Sequence, residues 1–186
     1  MRSFKKFGLL AAVFALSAIG AANASAATFT ASATGTLSGK ATTLPILTLN
    51  GGQIKCTTTS TTGTIASIPW TEQKYTITYS GCTAFGFANV HTSPHEFNTK
   101  ANGEVQYLKT ITISVTAIAC HITIHPQTVN KVEYTNNSPR TIVHHKTTGI
   151  AYTSTGGLCG ASGSNGTYTG TTEIERVGGG SVSHDP

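Results

Sequence analysis

"KYTITYS", residues 74–80, places Tyr75, Ile77 and Tyr79 on one side of an extended chain and Thr76 and Thr78 on the other. Successive side chains of a pleated strand point to opposite faces, so this period of two marks a strand with one buried and one wet face. "KTITISVTA", residues 109–117, repeats the pattern, with Ile111, Ile113 and Val115 set against Thr110, Thr112, Ser114 and Thr116. Outward from these two runs, further strands are expected at Phe29–Leu37, Ile46–Asn50, Gln53–Thr58, Gly63–Ile68 and Ile122–His125. Others are expected at Val132–Tyr134, Ile142–His145, Ile150–Ser154 and Gly166–Ile174. The clusters "NGG", "SGC", "ANGE", "TNNSP" and "SGSNG" read as the turns between them. The chain is therefore expected to be all-β, a β-sandwich of Greek-key or immunoglobulin-like type, with a closed β-barrel as the alternative. The polar stretch Phe87–Thr99, which holds Pro94, reads as an exposed loop, and "GGGSVSHDP", residues 178–186, as a flexible tail.

The N-terminal segment differs. Arg2, Lys5 and Lys6 precede an apolar run from Leu9 to about Ala22, followed by small residues with cleavage sites after Ala24 or Ala26. This is the layout of a secretory signal peptide over residues 1–26. The run is shorter than a membrane anchor and ends in the polar Asn23 and Ser25. Residues 27–177 then form a single domain of a secreted, extracellular protein with no membrane span after leader cleavage. Loss of the leader removes three of the twelve basic residues, leaving nine against seven acidic ones, with Arg140 and Arg176 the only arginines. That balance offers no clustered basic face for nucleic acid. Threonine dominates the rest, giving strands a polar coat without charge.

Cys56, Cys82, Cys120 and Cys159 are an even set in an oxidising compartment and read as two disulfides. Three pairings are open; we take the sequential one, Cys56 with Cys82 and Cys120 with Cys159. No two cysteines share the short spacing of a zinc site. In "IACHITIHPQ", residues 118–127, alternation turns Cys120, Ile122 and Ile124 inward and His121, Thr123 and His125 outward. Two histidines four apart on a strand stand about 13 Å apart, too far to share one ion. A metal-dependent enzyme would need His144 and His145, or His91 and His95, to arrive from neighbouring strands. His144 and His145 are adjacent and point to opposite faces, so one is expected to be buried and the other wet.

Catalytic sets are thin. The only aspartate, Asp185, lies in the tail, and "CGASGSNG", residues 159–166, is not a nucleophile elbow. Glu173 and Glu175 share a strand face at about 7 Å, where neighbours on one strand line a surface instead of flanking a substrate. No phosphate-cradling loop and no calcium loop is present in the sequence. No catalytic residue, metal ligand or cofactor is assigned. The aromatic Trp70 of "SIPWTEQKY", with Tyr75 close in sequence, is the candidate ligand-binding pair, a stacking platform for a sugar, against the alternative that a sole tryptophan belongs to the core.

Taken together, "TFTASATGTL", "LNGGQIKCTTTSTTGTI", "YSGCTAF", "HPQTV", "VEYTNNSP" and the run from "TGIAYTSTGGLCG" to "SGSNGTYTG" resemble a family of small exported proteins of soil bacteria, chiefly actinobacterial. The resemblance covers nearly the whole chain after the leader. It implies secretion, all-β structure and paired cysteines, and brings no catalytic residue with it. Three functions are carried forward: a non-enzymatic extracellular or cell-envelope-associated protein, a carbohydrate-binding module, and a metal-dependent enzyme using histidines. The expected partner is cell-envelope or extracellular polysaccharide, with no nucleic acid; the oligomeric state stays open.

Overall fold

The computed structural model describes residues 26–86, 88–156 and 159–186. The leader expected over residues 1–26 lies, but for its last residue, outside them. Five long strands make most of the wall: β2 (Gly35–Leu49), β3 (Gly52–Ile65), β4 (Glu72–Ala84), β12 (Arg140–Thr155) and β13 (Gly163–Arg176). Shorter strands accompany them: β1 (Thr28–Ala31), β5 (Ala88–Thr92), β6 (His95–Lys100), β7 (Glu104–Tyr107), β8 (Ile111–Val115), β9 (Cys120–Ile124), β10 (Gln127–Asn130), β11 (Val132–Asn137) and β14 (Val182–Asp185).

All pairings are antiparallel. Following them from β4 through β3, β2, β13, β12, β9, β8 and β5 leads back to β4, because Thr83 and Ala84 pair with Asn89 and Ala88. The sheet is a closed eight-stranded barrel. The all-β expectation holds, and of its two architectures the closed barrel is the one adopted. Eight strands enclose a space about wide enough for side chains to fill.

The other half of the long strands carries a second arc. Residues Glu72–Ile77 of β4 pair with β6, then β7, then β10. β10 reaches back to β12 through Gln127, whose amide accepts from Ala151 N and donates to Ala151 O, both at 2.8 Å. A side chain here supplies the rung that a backbone ladder would have made. β1 and β14 form a separate two-stranded ribbon.

Four expectations are corrected, the first being "SGSNG", which is not a turn, since β13 starts at Gly163 and runs through it. "SGC" is not a turn: β4 runs through it, and Gly81, at φ +61°, lets the inward set change phase from Tyr79 to Cys82. A phase change of this kind bends a long strand enough for a sheet to close. Of the stretch expected as a loop at Phe87–Thr99, residue 87 lies outside the described residues and the rest supplies β5 and most of β6. Here alternation is present but short: Ala88, Val90, His95 and Phe97 are buried. Within the expected flexible tail, Val182–Asp185 instead pairs with β1, Val182 is buried, and Thr141 Oγ1 donates to its carbonyl at 2.9 Å. The glycine run before it masks a single apolar anchor that only a partner strand reveals.

Cys56 and Cys82 stand directly opposite on β3 and β4 and are bonded, and Cys120, at the start of β9, is bonded to Cys159. Both disulfides follow the sequential pairing.

Candidate functional site

Two places gather chemistry, one inside the barrel and one on its wall. Inside, two voids of about 30 Å³ each share Phe97, Tyr107 and Tyr168 as their partition. The first is further lined by Tyr79, Thr92 and His95, the second by Thr61, Tyr75, His145, Thr147 and Thr172. Each has room for ordered water. The inward phase of β4 places Tyr75 and Tyr79 here, as alternation in "KYTITYS" requires.

His95 is buried, accepts or donates at 2.8 Å to Thr92 Oγ1, and lies 4.6 Å from the Tyr79 ring. Burial pushes its pKa down to about 3. His145 meets Thr172 Oγ1 at 3.2 Å and the edge of Tyr168 at 5.4 Å; burial first, and His144 second, push it down to about 4. His145 keeps a partly accessible surface although protein surrounds it, because it faces the void. Tyr79 and Tyr168 join hydroxyls at 3.1 Å; burial raises both, Tyr168 to about 12. Thr61 Oγ1 is buried with no partner among the described residues. Near neutral pH the polar groups of this mainly apolar interior are therefore uncharged imidazoles, phenols and hydroxyls.

The histidines do not converge: among the described residues no three of His, Cys, Asp or Glu are placed to hold a metal ion. His121 and His125 face outward, His121 bonding Ser114 Oγ through Nδ1 at 3.0 Å. His144 faces out toward Thr135 while His145 faces in; both side chains are half-buried. Glu173 and Glu175 share Arg140, at 3.1 and 2.9 Å.

On the outer wall, β3, β4 and β6 floor an open groove of about 680 Å³. Register builds it: Thr62 stands beside Thr76 and Thr76 beside Glu96, while Lys74 stands beside Asn98 and Glu72 beside Lys100. Thr64 and Tyr75 complete the lining, with Leu108 at one side. Of the candidate ligand-binding pair, Tyr75 therefore lies between this groove and the inner void. Trp70 is not in the groove. It packs 5.7 Å from Phe29 in an aromatic cluster with Tyr134 and His184, its Nε1 buried without a partner among the described residues. Sequence reasoning missed Glu72, Glu96 and Asn98 as a group, since they belong to strands whose pairing no local pattern announces.

No family profile, no curated protein and no solved structure matches the chain.

Proposed function

We propose that this is an exported, non-catalytic protein that attaches to cell-envelope or extracellular polysaccharide. The observation that carries the reading is the outer wall of the barrel. Three adjacent strands present Thr36 and Ser38, then Thr58, Ser60, Thr62 and Thr64, then Thr76, Thr78 and Ser80 in facing register. Hydroxyls both donate and accept, so a sheet of them suits a hydroxyl-rich neutral polymer without electrostatic preference. A barrel that meets lipid instead turns an apolar band outward. The two disulfides support a life in an oxidising compartment, and among the described residues no helix is long and apolar enough to cross a membrane.

Cleavage of the polymer is the weaker reading. Glu72 and Glu96 both line the groove, but their register partners on β4 place them four strand residues apart, about 13 Å along the strand, beyond the separation of a glycosidase acid pair.

The test is co-sedimentation of the oxidised protein with bacterial envelopes and with insoluble neutral polysaccharide across a salt series. Saturable binding that survives high salt is expected, because screening weakens only charge-driven contacts. Absence of binding to every polymer overturns the reading.

A further inference from the structure

We propose that the groove over β3, β4 and β6 is a discrete site for a neutral, polyhydroxylated ligand, a short stretch of oligosaccharide. The inference rests on the polysaccharide reading above and gives it an address.

The site is built around Asn98. The residue is only 3% exposed, and its Nδ2 donates to Glu72 Oε2 at 2.8 Å and to Gln106 Oε1 at 3.2 Å. Both donor hydrogens are thus committed, which fixes the amide's orientation. The Oδ1 that remains has no partner among the described residues. An orphaned buried acceptor is costly and rare in a folded protein, and a ligand hydroxyl is the donor that would complete it. The Glu72 side chain bonded to this amide is half exposed, and a ligand reaches the floor by displacing its carboxylate from Nδ2 and taking over that bond.

Charge in the groove is compensated from within. Glu96 is bonded to Lys109, and Glu72 lies 4.0 Å from Lys100, which also pairs with Glu104. A ligand that brought its own charge would have to break these pairs. A neutral hydroxyl leaves the Lys109–Glu96 and Lys100–Glu104 pairs in place: it donates to the carboxylates and to Asn98, and accepts from Lys74, Thr62, Thr64 and Thr76. Leu108, exposed at 37%, adds an apolar patch at the side of the groove for the C–H face of a sugar ring. The rows of Thr58, Ser60, Thr78 and Ser80 on the same strands carry hydroxyls alone.

The experiment titrates the intact oxidised protein with cellotetraose and with the tetramer of N-acetylglucosamine, following backbone and side-chain amides by NMR. The expected result is shifts confined to groove residues, including the Asn98 side-chain amide. Affinity should fall about tenfold or more in Glu96→Gln with Thr76→Val, both on the exposed wall, and stay unchanged in Thr58→Val with Ser80→Ala. Asn98→Ser, checked for folding by circular dichroism, should weaken binding further. If tetramers and sedimented polysaccharide bind the wild type and the groove variants alike, the groove is not the site while the polysaccharide reading survives. If neither tetramers nor polysaccharide bind the wild type, both fall.

Discussion

The hydroxyl oxygens of Tyr79 and Tyr168 lie 3.1 Å apart inside the barrel, on β4 and β13, two strands that β3 and β2 separate along the wall. The bond spans the interior at the partition between the two voids and ties opposite arcs of the closed sheet. Tyr168→Phe removes one partner and leaves the Tyr79 hydroxyl buried and alone. The expected cost is about 1–2 kcal/mol, read as a lower urea midpoint with an unchanged slope. The double replacement by phenylalanine should cost less than twice that, because neither hydroxyl is then orphaned.

Acid should unfold the protein through His95 and His145. Both have folded pKa values below the unfolded value, about 3 and about 4. Their neutral forms therefore contribute stability that is whole above about pH 6.5 and is lost as pH falls toward the folded values. The groups facing them are Thr92, Tyr79 and Phe97 for one and Thr172 and Tyr168 for the other, with His144 acting on the second from the opposite face of its strand; no carboxylate among the described residues bonds either ring. Below the unfolded pKa each histidine withdraws about 1.4 kcal/mol per pH unit. Urea titrations from pH 7 to pH 4 should show that slope roughly halved in His95→Phe, and an unchanged slope would remove His95 from the account.

The disulfides close spans of 26 and 39 residues. Chain entropy assigns about 3.5 kcal/mol to Cys56–Cys82 and about 4 kcal/mol to Cys120–Cys159. Replacing either pair by alanine should lower stability by amounts of that order. Denaturation with and without reductant measures both, and equal curves in the two conditions would show that neither bond matters to the fold.

Trp70 should report a shielded site. It is partly buried, with its ring against Phe29 and its Nε1 out of solvent, so its fluorescence should be blue-shifted, only partly quenched by acrylamide, and indifferent to oligosaccharide. Quenching by a glycan would place the ligand at the aromatic cluster instead of the groove.

Much of the strand content is legible locally. Tyr75, Ile77 and Tyr79 turn inward, as do Cys120, Ile122 and Ile124, because a pleat enforces the alternation whatever lies beyond it. Phase changes are less legible. Ser80–Gly81 resembles a turn in sequence, yet glycine's tolerance of positive φ serves equally to kink a strand that continues.

By itself, then, the sequence determined an all-β chain, the inward faces of its clearest strands and the number of its disulfides, all consequences of side-chain type and spacing along one strand. Only the tertiary structure decided that the sheet closes, that His145 and not His144 enters the interior, and that Val182 anchors a final strand. It alone brought Glu72, Glu96 and Asn98 to one groove. Each of these depends on which strand pairs with which and in what register. That choice is made by burial and hydrogen bonding between segments far apart in the chain, where a shift of one residue reverses every side chain.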